Sequence, residues 1–385
     1  MVLNLRVAVC AALGLFLAAS GVSVAGEWHS WRGPQQNGVS DEKGLVSSWS
    51  PDGENLIWKA DFIGRSTPVV YDGQACVMGR TDDSKATRQE VVACFDAGTG
   101  EKLWERRFPV YNTTVPFTRV GWASLAGDPE TGYVYAQNVD GHFLAFDREG
   151  EIVWEYHTTR NAMKVGTTRA GTDIWGPSGA AVWTTPAIDA DRGVLYIGTA
   201  QNMSPPATYN SDSVVAIDLG TGEVDWVFQG LAGDIWNAAC LTGGANCPDN
   251  AGPDFDFGGG ITLARTADGA DIIVAGQKSG QVFALDPDRK GAVVWQRRLS
   301  MGTSNGGIHW GVATAGNTVW ATIADPPRER VGYVPKPGIH ALDLKTGGIR
   351  WSLPVERDCQ FDPADAPRVG LAAMRDAGPV DPWPE

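Results

Sequence analysis

One phrase recurs along this chain and leaves few folds open to it. CFDAGTGEKLW (Cys94 to Trp104), AFDREGEIVW (Ala145 to Trp154), AIDLGTGEVDW (Ala216 to Trp226), ALDPDRKGAVVW (Ala284 to Trp295) and ALDLKTGGIRW (Ala341 to Trp351) are its five full copies. Each sets an apolar residue and an Asp on a strand, turns through Gly or charged residues, and ends on Trp seven to nine residues after the Asp. NLIWK around Trp58 reads as the tail of another copy. Strand, short Gly turn and second strand make a β-hairpin.

The segments ahead of the phrases, among them STPVVYDGQACVMG, GYVYAQNVDGHFL and DIIVAGQKSGQVFAL, alternate as strands, and no helical periodicity of useful length follows the N-terminus. Copies spaced by about fifty to seventy residues, each holding about four strands, imply radial repetition. The expected fold is an all-β propeller with six blades visible. A four-stranded blade has two faces to cover, and a Trp on its outer strand can dock on the next blade. Burying one such ring contributes about 2–3 kcal/mol, which a lone blade cannot realise. The five terminal Trp residues therefore read as structural.

The net charge of −14 over 385 residues disfavours nucleic acid or an anionic membrane as partner, and no basic run offsets it. Arg6, the apolar run VAVCAALGLFLAA and the small residues Ser23 to Ala25 fit a signal peptide over residues 1–25, too short to favour a membrane span. Residues 26–385 are then one propeller in the periplasm or outside the cell. The chain has six cysteines, and losing Cys10 with the leader leaves five. Cys240 with Cys247 and Cys76 with Cys94 are candidate pairs, with Cys359 left over; buried free thiols are the alternative.

The Ala-x-Asp-x-x-Thr-Gly-x-x-x-Trp phrase resembles the tryptophan-docking motif of the pyrroloquinoline-quinone (PQQ) type propellers, whose complete rings have eight blades. That superfamily holds quinoprotein alcohol dehydrogenases and also non-enzymatic scaffolds of outer-membrane assembly. WRGPQQNGVS (Trp31 to Ser40) looks like the start of many such propellers. Gly176 to Trp310 is similar to the polyvinyl-alcohol dehydrogenase branch, through GPSGAAVWTTPAID, YIGTAQN, GDIWNAACLTGGANCPDNAGPDFDFG, AGQKSGQVFALDPD and GGIHWG.

That resemblance implies particular residues. Trp183 matches the tryptophan that floors PQQ, a flat polarisable surface for a tricyclic quinone; its plainer role is another core Trp. Asn202 matches the asparagine that ligates Ca²⁺, for which an amide oxygen is a suitable hard donor; an Asn at a strand end is otherwise a common turn residue. Lys278 matches the cation beside the quinone carbonyls, where it would stabilise developing negative charge; the alternative is an ordinary hairpin lysine. The general base of related enzymes is an Asp after Trp, and here that position is Asn237, a neutral amide that cannot take a proton. Asp234 and the pair Asp254 and Asp256 are the substitutes. In extended chain Asp254 and Asp256 face one side, and two like charges raise one pKa; as loop carboxylates they would instead be bystanders or calcium ligands.

The first half departs from the dehydrogenase pattern. It has no vicinal Cys-Cys and no obvious Glu ligand before the AFDREGEIVW hairpin, where Asp140 is the acidic candidate. Cys-x-x-Cys-His is absent, so no haem attaches to this chain and electrons would leave to a separate acceptor such as a cytochrome c. The segment after Trp351 lacks another docking phrase, so the C-terminal end falls short of an eight-bladed ring. The first expectation is an alcohol dehydrogenase acting on a small or polymeric alcohol with PQQ and Ca²⁺. The alternative is a non-catalytic propeller serving protein binding or envelope assembly.

Overall fold

The computed structural model describes residues 26–84, 86–110, 120–139, 141–325 and 335–355. They form an all-β propeller as expected, but with five antiparallel sheets of four or five strands among the described residues where six blades were expected; in each, consecutive strands pair side by side. The first blade comprises Gln74–Arg80, Gln89–Asp96 and Lys102–Pro109, with Val69–Tyr71 and Ile63–Gly64 sharing its inner edge. The second runs Ala126–Asp128, Tyr133–Gln137, His142–Phe146, Ile152–His157; the third Ala187–Asp189, Val194–Gly198, Ser213–Asp218, Val224–Gln229. The fourth runs Thr262–Arg265, Asp271–Gly276, Gln281–Asp286, Ala292–Arg298, and the fifth Val312–Ala315, Thr318–Ile323, Gly338–Asp343, Ile349–Pro354. No helix among the described residues is long and apolar enough to cross a membrane.

Every part of the repeated phrase has a structural task. In the third blade the Asp218 carboxylate accepts hydrogen bonds from the Gly220 and Thr221 amides and the Thr221 hydroxyl, while Gly222 N–H donates to the Asp218 carbonyl. Asp96 with Thr99 and Asp343 with Thr346 repeat this turn. The closing glycine has φ +73°, a left-handed conformation that suits Gly, and a Cβ built on it would lie 2.6 Å from the Trp154 ring. Trp154 of the preceding blade thus lies flat on the bare backbone of Gly222 and donates its indole N–H to Leu219 O at 2.8 Å. The same seat joins Trp58 to Gly100, Trp104 to Gly150, Trp226 to Gly291 and Trp295 to Gly347. Trp58, the lone tail seen in the sequence, docks as the full copies do. Trp351 faces no following blade among the described residues and is 47% exposed, against 8% for Trp154.

The cores lie between blades. Leu144 and Phe146 pack with Met78, Val92 and Trp104 of the first blade, while Tyr135, Phe143 and Trp154 pack with Leu195, Val215 and Ile217 of the third. The N-terminal stretch braces the inner strands. Trp28 pairs with Val70, His29 O accepts from Gly127 N, Gln36 exchanges two bonds with Ile188, and Arg32 donates to Val312 O. A segment of no regular structure thereby ties four blades together. Both candidate disulfides form: Cys76–Cys94 across a register pair of neighbouring strands, and Cys240–Cys247 within one loop.

The docking seat makes a directional prediction. Gly222→Ala strains the turn and lifts Trp154, which should lower unfolding stability by about 1–3 kcal/mol. Trp154→Ala, which empties the seat, should lower it by about 3–5 kcal/mol. Urea denaturation checks both; wild-type stability in Gly222→Ala would mean that the ring does not need the bare glycine.

Candidate active site

A cavity opens among residues from the first four blades and the loops between them, lined among others by Glu90, Trp122, Trp183, Gln201, Asn237, Asp254, Asp256 and Lys278. Lys278 reaches it from the hairpin tip GQKSG between two strands of the fourth blade. Its ammonium lies 2.9 Å from Asp256 Oδ2 and 3.3 Å from Asp254 Oδ2, all three side chains being almost fully buried. Both Asp residues aim at the same cation, although Asp254 is not in the extended conformation from which that facing was expected. Buried charges are tolerated when paired and hydrogen-bonded, and this triad meets that condition.

Asp256 has further partners beside Lys278. Its Oδ2 also accepts the Trp183 indole N–H at 3.1 Å, and its Oδ1 accepts Gln201 N–H at 3.3 Å. Lys278 Nζ sits 5.5 Å from the Trp183 ring centroid, within cation–π reach. Asp254 has φ +62°, a left-handed conformation that a non-glycine residue adopts only when its surroundings hold it. Asp234 supplies that hold, accepting the amides of Asp254 and Phe255. Burial raises the Asp234 pKa despite those two amides.

Three residues of this cavity escaped the sequence reading. Trp122, from an irregular loop, faces Trp183 at 6.3 Å between centroids and 23° between planes, and Trp310 meets both edge-on. Nothing in the local pattern marks Trp122. Glu90 is 2% exposed and accepts Gly121 N–H and Val139 N–H, one on each carboxylate oxygen. Its signal was available: it is an acid directly ahead of the apolar run VVACF in the strand QEVVACFD. Gln201 lines the cavity and donates to Trp236 O.

Asn202 points elsewhere. Its Oδ1 accepts from the backbone and hydroxyl of Thr208, and its Nδ2 donates to Ser178 O. Consecutive residues of an extended chain face opposite ways, so the cavity receives Gln201 and the loop receives Asn202. Asn237 borders the cavity with its amide engaged: Oδ1 accepts Ala239 N–H and Nδ2 donates to Met203 O and Asn246 O. A carboxylate has no donor for those two carbonyls, which accounts for an amide here. Asp140 lies outside the described residues.

Behind the cavity, Asp212 is fully buried and neither carboxylate oxygen has a hydrogen-bond partner. Burial pushes its pKa up to about 10, and the negative charges of Asp256, Asp234 and Asp254 add to the effect. It is therefore protonated at neutral pH.

Residues 127–240 match the family described as the PQQ-type "Glucose/ethanol/alcohol dehydrogenase, beta-propeller domain". Over that stretch the chain carries the PQQ-type propeller repeat. It is 41% identical over 388 aligned residues to a polyvinylalcohol dehydrogenase of Sphingopyxis sp. (strain 113P3), covering 86% of this chain and 59% of that protein. A polyvinylalcohol dehydrogenase of Pseudomonas sp. is 30% identical over 335 residues, covering 77% of this chain and 52% of the other. The chain thus spans between half and three-fifths of the length of these relatives. Among solved structures, a europium-containing methanol dehydrogenase superposes with a TM-score of 0.50 at 15% identity, over 76% of this chain and 62% of that one, a likeness of fold.

Asp212 carries a pH prediction. A carboxyl whose pKa is raised on folding contributes stability that is full below the unfolded value, about 3.9, and is lost as pH rises towards the folded value. In chelator-treated protein, Asp212→Asn should therefore gain melting temperature over wild type as pH goes from 5 to 9, with little difference near pH 4. A gap that is flat or shrinks with rising pH would contradict a protonated Asp212.

Proposed function

We propose that this chain is the propeller of a quinoprotein alcohol dehydrogenase, exported to the periplasm, that binds PQQ and Ca²⁺ and oxidises a small or polymeric alcohol. One observation carries the reading: a buried cation, Lys278, held between Asp254 and Asp256 beside the face of Trp183. The residues present fit the cofactor. The nearly parallel rings of Trp122 and Trp183 offer flat surfaces to a planar ring system, and Gln201 and Glu90 add oxygen donors of the kind Ca²⁺ takes. Asn202, whose amide is engaged with Thr208 and Ser178, supports that ligand strand from behind.

PQQ, when bound, supplies a quinone that accepts hydride from the alcohol C–H bond. Lys278, almost fully buried, places a fixed positive charge where negative charge develops. Asp254, which lines the cavity 3.3 Å from Lys278 Nζ, takes the alcohol proton on its carboxylate. Asp256 holds Lys278 and the Trp183 indole in place. The electrons then pass to a separate acceptor such as a cytochrome c.

The test is a PQQ titration followed by tryptophan fluorescence, with and without Ca²⁺. Expected are calcium-dependent quenching in wild type, its loss in Trp183→Ala, and retained binding in Asp254→Asn. Alcohol-dependent dye reduction by Asp254→Asn should fall about 10²–10⁴-fold, the usual worth of a general base. Absence of quenching at micromolar PQQ would end this reading and favour a non-catalytic, protein-binding propeller.

A further inference from the structure

The second blade carries a cluster that the candidate active site does not use. His142 opens the strand His142–Phe146 and His157 closes the strand Ile152–His157. The two are register partners, so their side chains leave the sheet on one face, with ring centroids 4.2 Å apart. Glu155 stands two residues before His157 and shares that face. Its Oε1 lies 2.7 Å from His157 Nε2 and 3.3 Å from His142 Nδ1. One ligand atom from each residue falls within 4.8 Å of the other two, and all three side chains are partly open to solvent.

We propose that His142, Glu155 and His157 bind a divalent transition-metal ion, with Zn²⁺ as the representative case. Two imidazole nitrogens and one carboxylate oxygen are a donor set this class of ion takes, with a fourth position left for water. Ca²⁺ is disfavoured, because it requires six to eight oxygens. Both histidine backbones are anchored in a paired ladder, so closing on an ion needs only side-chain rotation. The site also has a structural link to the cavity. His142 N–H donates to Asn138 Oδ1, Asn138 N–H donates to His142 O, and Val139 N–H donates to Glu90. Asn138 and Val139 line the cavity, so an ion clamping His142 to His157 stiffens that wall from outside.

The test is a Zn²⁺ titration of the mature chain, free of any polyhistidine tag, in competition with a chromophoric chelator. Wild type should bind one equivalent, and His142→Ala and His157→Ala should each weaken binding about tenfold or more, while far-ultraviolet circular dichroism stays unchanged. Glu155→Gln, which keeps the shape and removes the charge, should weaken it in the same sense. Failure of wild type to bind a stoichiometric ion overturns the proposal. So does an affinity that is the same in both histidine variants as in wild type, which would place the ion elsewhere.

Discussion

The contact on which the structure depends is an indole ring lying on a bare glycine. A blade of four strands cannot cover its own faces, and its neighbour must come close enough to exclude water along the seam. Trp154 on Gly222 shows why only that pair of residues serves: any Cβ on the glycine would enter the ring, and a smaller side chain would not span the gap. In three of the five phrases an Asp and a Thr hold the glycine's turn in shape, so three polar or small residues exist to seat one large one. Five such seats, with the N-terminal brace across the inner strands, set the relative placement of the blades.

That placement creates the cavity. Glu90 comes from the first blade, Trp183 and Gln201 from around the third, and Asp254, Asp256 and Lys278 from the approach to and tip of the fourth. Four carboxyl groups, those of Asp212, Asp234, Asp254 and Asp256, interact electrostatically around one ammonium. In a buried setting such an excess of potential negative charge is held down in two ways: Lys278 pairs with two of the carboxylates, and burial keeps Asp212 protonated.

The fold was legible because its signal is local and repeated. Asp, Gly and Trp recurring in one order within seven to nine residues encode a hairpin and its docking ring, and spacing between copies encodes the blade. Of the site, Trp183 and Lys278 were reached through a continuous resemblance and Asp254 and Asp256 as substitutes for the base missing at Asn237, and the structure gathers all four into one cavity. The asparagine expected beside them was one residue off in facing: Gln201 turns in and Asn202 turns out, a parity that strand pairing decides. Glu90 carried a readable sign, an acid directly ahead of an apolar run. Trp122 carried none, because its loop has no period from which a direction can be read.

By itself the sequence determined the blade, since every hydrogen bond and ring contact of the repeated turn joins residues close in the chain or in the matching place of the next copy. Only the tertiary structure decided the company each polar residue keeps. Asp256 meets Trp183 across 73 residues of sequence, Glu90 meets Val139 across 49, and Asn237 spends its amide on Met203 and Asn246. Such meetings depend on where whole blades stand relative to one another, and a small shift of an inter-blade seam exchanges one hydrogen-bond partner for another.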